Sequence, residues 1–148
     1  RSWINRTLYM IHFPAGMSNT IQGAKSCQNF CAYHFSTVSK NYGNIYYGVM
    51  PDYKSGMCSY ACGFGSSTFD TTTVISAHEF TEAVTDPFPT PADKPVYPQA
   101  WNTSKGEEIA DLCQASADLV TATKTYKVSK EWNNAAGSCY SGPWKSDQ

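Results

Sequence analysis

The apolar positions of this chain fall into segments with different periods. Leu8-Tyr-Met-Ile-His-Phe13 is a compact apolar run ended by Pro14-Ala-Gly16, which predicts a buried strand. Asn44-Ile-Tyr-Tyr-Gly-Val-Met50, closed by Pro51-Asp52, predicts a second. Between them, residues 17–43 are rich in Ser, Thr, Asn and Gly, so they read as loop with at most one short helix. Gly63-Phe-Gly-Ser-Ser67 reads as flexible. A helix is predicted over about 72–85. There Val74, Ile75, Ala77, Phe80, Ala83 and Val84 suffice to bury most of a helical surface, and Asp70-Thr-Thr-Thr73 supplies possible N-caps. Asp86-Pro87 stops it, because a residue preceding proline disfavours helical geometry. Pro87, Pro89, Pro91, Pro95 and Pro98 then predict an extended loop. Thr125-Tyr-Lys-Val-Ser-Lys-Glu-Trp132 alternates as a late strand with one wet face. No repeat, coiled coil or low-complexity segment is present.

With 148 residues, 41% of them hydrophobic, the chain is expected to form one domain (1–148) with a genuine core. No run approaches the roughly 18 apolar residues of a membrane span. Net charge is only -1, but it is unevenly spread. Residues 1–60 carry five basic side chains against one acid, whereas residues 61–120 carry nine acids against two lysines. An acidic middle argues for a cation site there and against nucleic acid as a partner.

Cys27, Cys31, Cys58, Cys62, Cys113 and Cys139 form an even set, read as disulfides of an exported protein. Cys113 with Cys139 and pairings confined among the other four are favoured. The sequons at Asn5 and Asn102 are candidate glycosylation sites on the same reading. Zinc bound by the two Cys-x-x-x-Cys pairs is disfavoured, because zinc motifs are usually spaced more tightly and export favours oxidation.

The chemistry concentrates in His78-Glu79-Phe-Thr-Glu82. Positions i and i+4 lie one above the other on a helix, so His78 and Glu82 can grip one cation, and Glu79 is placed as a general base beside it. In His-Glu-x-x-His zinc peptidases the second ligand is His. A carboxylate in that place also binds zinc but suits harder cations such as calcium. A Ser/His/Asp nucleophile and a Gly-rich phosphate loop are not signalled. His12, inside an apolar run, reads as a core or strand-end residue.

Taken in order, Cys27-Gln-Asn-Phe-Cys31-Ala-Tyr-His34, Cys58-Ser-Tyr-Ala-Cys62, Ala77-His-Glu-Phe-Thr-Glu-Ala-Val-Thr-Asp-Pro87, Ala100-Trp101, Glu108-Ile-Ala-Asp-Leu-Cys113 and Trp132-Asn133 with Cys139 span most of the chain. This set resembles the phosphate-induced, Exordium-like extracellular proteins of plants and related secreted proteins of fungi and bacteria. The resemblance implies secretion, disulfides and a zincin-like helix, with this chain as the C-terminal part of a longer precursor whose upstream propeptide is a possible partner. The family motif also points to Glu108 as third metal ligand. By analogy with peptidases that recruit a downstream acidic motif, Asp111 would steady His78, or the two would exchange roles. His34, in the Cys-x-x-x-Cys-x-x-His element, is a ligand, a substrate-side hydrogen-bond donor or a structural histidine beside a disulfide, and Asp86 is either an alternative partner of Glu82 in a calcium site or a structural helix-ending residue before proline.

These readings combine into an α+β fold, a zincin-like small sheet packed on an active-site helix and stapled by disulfides. The expected function is that of a secreted zinc peptidase: His78, Glu82 and Glu108 hold the metal, Glu79 acts as base, and a peptide or protein is the substrate. Its rival is a non-catalytic extracellular wall or matrix signalling protein with a structural calcium site or ion-pair network. A carbohydrate-binding module rests only on the many Tyr and Trp residues.

Overall fold

The computed structural model describes residues 7–90, 100–140 and 142. In chain order its elements are β1 (Leu8–His12), β2 (Thr20–Ile21), β3 (Ala24–Lys25), β4 (Tyr33–Ser39), β5 (Gly43–Met50), α1 (Met57–Ala61), α2 (Thr68–Thr85), β6 (Ser116–Val120), β7 (Thr125–Ser129), β8 (Glu131–Asn133) and β9 (Ser138–Tyr140). The fold is α+β. Its main sheet has the order β1-β5-β4, with β5 parallel to β1 and antiparallel to β4. Three two-stranded ribbons, β2-β3, β6-β7 and β8-β9, complete the strand content of the described residues.

Both predicted early strands form, but only β5 is deeply placed. β1 lies at the sheet edge with Tyr9 and Ile11 more than 40% exposed, so it is not the buried strand expected from its apolar run. His12 is its exposed last residue. The region expected to be loop holds β4 and the β2-β3 hairpin instead. Tyr33, Phe35, Thr37 and Val38 have the side chains that suit a strand, and pairing with β5 over seven positions outweighs the polar composition around them. The late strand is divided at Lys130 into β7 and β8, each with its own partner.

Helix α2 begins four residues earlier than predicted. Ser67, with extended backbone, accepts from the Asp70 N–H and so caps the helix, and Asp70 sits in the first turn as the macrodipole favours. Gly65 lies so close under this turn that an added Cβ would fall 2.3 Å from Asp70 Cβ; this glycine is a packing position, not the flexible spacer expected. At the other end the Asp86 N–H bonds to Glu82 O, and Pro87 prevents continuation.

The burial of α2 reverses the expectation from its apolar residues. Thr71, Val74, Ile75, Glu79 and Glu82 are buried, whereas Phe80 and Val84 are 56% and 64% exposed. At about 100° per residue, 75, 79 and 82 share one face, and 80 and 84 lie roughly opposite. Two acids have therefore taken core positions.

The apolar core is small and adjoins them. Cys27, Ala32, Met50, Tyr53, Cys62 and Ile75 form one cluster, with Met10, Cys31 and Cys58 packed against it. The cysteines of this core are also joined covalently: Cys27–Cys58 and Cys31–Cys62 link two four-residue spacings in parallel. Helix α1 has five residues, too few to persist alone, and is pinned through Cys58 and its C-cap residue Cys62. Cross-linking residues 31 apart removes about 3–4 kcal/mol of chain entropy from the unfolded state, the second parallel bridge adding less. Cys113–Cys139 ties the segment after the acidic turn to β9. No free cysteine remains among the described residues.

The intact mass, after removal of any glycan, is expected to be six hydrogens below that of the thiol form. Peptide mapping without reduction should recover Cys27 linked to Cys58 and Cys31 linked to Cys62. Recovery of Cys27 linked to Cys31, or labelling of native thiols by an alkylating reagent, would contradict this framework.

Candidate metal centre

Three parts of the chain converge on the buried acids of α2. The main sheet supplies His34. It lies on β4 opposite Gly48 of β5, and a Cβ added to that glycine would come 3.0 Å from Met10 Sδ and 3.8 Å from Glu79 Cβ. The bare backbone there lets α2 approach the sheet closely. The polypeptide after the proline-rich segment supplies Glu108 and Asp111 from a turn. That turn is self-bracing, since the Glu108 N–H donates to Asp111 Oδ2 at 3.0 Å.

Glu82 is the hub. Its Oε1 lies 3.2 Å from His78 Nε2 and accepts the Asp111 N–H at 3.2 Å, while its Oε2 lies 3.8 Å from His34 Nδ1. His78 Nε2 is also 3.4 Å from Asp111 Oδ1. His34 Nδ1 is 3.6 Å from Glu79 Oε2, and its Nε2 is 3.4 Å from Glu108 Oε1. Among the described residues, two groups could hold a metal ion: His34, Glu79 and Glu82, all buried, and His78, Glu82 and Asp111. Within each, one donor atom per residue lies within 4.8 Å of the others.

Among the expected ligands, the structure brings His78 and Glu82 together and adds Asp111 rather than Glu108 at His78 Nε2. Glu108 faces His34, where its Oε1 is buried with no hydrogen-bond partner. Glu79 is 4% exposed and contacts His34. Asp86, only 1% exposed, uses its carbonyl to accept from His34 Nε2 at 3.0 Å and its Oδ2 to accept from Asn102 at 3.4 Å, rather than joining Glu82. Asn102 thus turns the nitrogen that would carry a glycan toward Asp86, and Asn5 lies outside the described residues. Sequence reasoning missed Glu131, which is buried on β8, accepts from Ser129 Oγ at 2.8 Å and interacts electrostatically with His78 and Glu82. Its only signal was an acid inside an alternating strand.

The protonation pattern follows from crowding charge out of water. Burial alone would lower the pKa of His78, but Asp111 and Glu82 outweigh it and raise it to about 11. Burial likewise opposes protonation of His34, and Glu79, Glu108 and the Asp86 carbonyl raise its pKa to about 9. Glu108 is pushed up to about 8 by burial, with His34 opposing and Glu82, Asp86 and Asp111 reinforcing the rise. Burial also raises Glu82 and Glu131. Asp111 moves down, because bonding from His78 and the Glu108 N–H overcomes its burial.

Two clefts flank the cluster. One, of about 340 Å3, is lined by His78, Glu79 and Asp111 together with Phe30, Phe64 and Ile75. The other, also of about 340 Å3, is lined by His34, Asp86, Glu108 and Asn102 with Tyr33 and Phe35. The two imidazoles thus border different clefts, His78 the first and the buried His34 the second.

In metal-free protein the stability contributed by the raised histidines is complete below the ordinary value of 6.5 and is lost as pH climbs through about 9 and about 11. Glu108 acts in the same direction, since its ionisation in the fold is disfavoured between the ordinary 4.5 and about 8. The melting temperature of chelator-treated protein is thus expected to fall from about pH 6 to about pH 9, and saturating zinc to restore it most at the alkaline end, where protons compete least for the imidazoles. A melting temperature that rises over this range without metal would contradict the ion-pair network.

Among the described residues, no helix is long and apolar enough to cross a membrane. No family model, curated protein or solved structure matches the chain.

Proposed function

We propose that this protein is a secreted, metal-dependent peptidase whose metal, zinc, is held by His78, Glu82 and Asp111, with Glu79 handling the proton. The observation that carries the reading is the approach of Glu82 Oε1 and Asp111 Oδ1 to His78 Nε2, at 3.2 and 3.4 Å, beside a cleft that His78, Asp111 and Glu79 line. Zinc bonds of about 2.0–2.2 Å at tetrahedral angles set neighbouring donors about 3.3–3.6 Å apart, which these separations approach. Asp111 takes the place first assigned to Glu108, because the turn presents it to His78 while Glu108 is turned to His34. Zinc bound there supplies Lewis acidity and lowers the pKa of an attached water toward about 7.

The chain's own residues do the rest. Glu79 accepts the proton of the attacking water and returns it to the leaving amine. Glu82 holds both the imidazole and the Asp111 N–H, so the two ligands are fixed relative to each other. Phe30, Phe64 and Ile75 give the cleft an apolar wall suited to a peptide side chain. Three disulfides and the resemblance to Exordium-like proteins support an extracellular setting.

A second reading, a structural cation site or ion-pair network without catalysis, is favoured by one specific observation. Glu79 and Glu82 both contact His34 and are 4% and 3% exposed, the environment of groups held for structure. The two readings part on Glu79→Gln. In a peptidase this variant keeps its fold and the zinc at His78, and loses roughly 100-fold or more of peptide hydrolysis, the scale of a lost general base. His78→Ala should lose zinc and activity together, with the disulfide-stapled fold retained. Zinc binding without cleavage of any unfolded protein, unchanged by Glu79→Gln, leaves the structural reading standing.

A further inference from the structure

His34 has no place in that mechanism, yet it is buried at the centre of the cluster. Its tautomer is determined by a neighbour: the Asp86 carbonyl can only accept, so Nε2 carries the hydrogen in their 3.0 Å bond. In the neutral ring Nδ1 is then a bare lone pair, and it faces Glu79 Oε2 at 3.6 Å and Glu82 Oε2 at 3.8 Å. These distances are too long for hydrogen bonds, whose N–O separations are about 2.7–3.2 Å. They lie just beyond the edges of a shared coordination shell, about 3.3–3.6 Å for zinc, and contract onto one with a few tenths of an ångström of movement.

We infer that the protein binds two divalent cations side by side, the second held by His34, Glu79 and Glu82, with the Glu82 carboxylate bridging it to the one at His78 and Asp111. The first cation is that of the proposed function, and the second is additional to it. Glu82 divides its oxygens accordingly, Oε1 toward His78 and Oε2 toward His34. A carboxylate bridge of this type joins metals about 3.5–4 Å apart.

Glu108 Oε1 and the Asp86 carbonyl hold the opposite nitrogen, Nε2, at 3.4 and 3.0 Å, so they orient the buried ring with Nδ1 turned to Glu79 and Glu82. Charge agrees as well. Glu79, Glu82, Glu108 and Asp111 find their ion-pair partners, among the described residues, only in His34 and His78. The donors are nitrogen and oxygen throughout, every cysteine being in a disulfide, so zinc, cobalt(II) or manganese(II) fits and copper(I) does not.

The test is titration of chelator-stripped full chain with Co2+, followed by absorption and by electron paramagnetic resonance, with zinc content after dialysis as a second measure. Wild type should take two equivalents, and the resonance intensity per ion should fall as the second enters, because a carboxylate bridge couples the spins. His34→Gln and His78→Gln should each retain one equivalent, and Glu82→Gln should weaken both sites. A single equivalent in wild type, removed by His78→Gln and untouched by His34→Gln, overturns the paired site and leaves the proposed function intact. Two uncoupled equivalents, both kept by His34→Gln, place the second ion elsewhere and also overturn it. No binding at all removes both inferences. Should His34→Gln fail to fold, wild-type stoichiometry and coupling decide alone.

Discussion

The structure is organised around an electrostatic debt at Glu82: a carboxylate 3% exposed, in contact with two imidazoles and, among the described residues, interacting with four further acids, Glu79, Glu108, Asp111 and Glu131. An unpaired buried charge is disfavoured by several kcal/mol, so everything that packs on α2 must supply a counter-charge or a donor. The sheet answers with His34, the helix with His78, and the turn at 109–112 with the Asp111 N–H. Each belongs to a different part of the chain. Closing the fold and assembling the cluster are therefore one event.

Such a cluster draws little on the hydrophobic effect, and the frame around it is correspondingly covalent. The core is a handful of residues in which Cys27 and Cys62 count among the best buried. Parallel bridges lock α1 and the segment leading into β4, fixing the approach of His34. The third bridge anchors the chain just after Asp111 to β9. Disulfides thus hold both sides of a site whose ionised groups would otherwise push apart.

The same placement explains the surface of α2. Because Glu79 and Glu82 take the inward face, Phe80 and Val84 are turned outward, against the usual sorting of a helix. A local preference has been overruled by the needs of a site, which is where such conflicts are expected.

The sequence by itself determined the helix and its stop, because Asp86-Pro87 acts through local sterics, and it singled out His78, Glu79 and Glu82, whose i to i+4 spacing is a property of any helix. It also showed β5, the even cysteine set and the Cys113–Cys139 pair. It did not reveal β4, whose strand is stabilised by pairing with β5, nor that Glu108 would turn to His34 while Asp111 faces His78. Two acids three positions apart on a turn point in directions that backbone dihedrals decide, and those depend on the Glu108 N–H to Asp111 bond and the anchoring bridge. His34 shows the division most plainly. In sequence it is a histidine three residues past a cysteine, 44 positions before His78; only the packing of α2 across Gly48 makes it a neighbour of Glu79 and Glu82, because long-range contact is a property of the folded chain and not of local spacing.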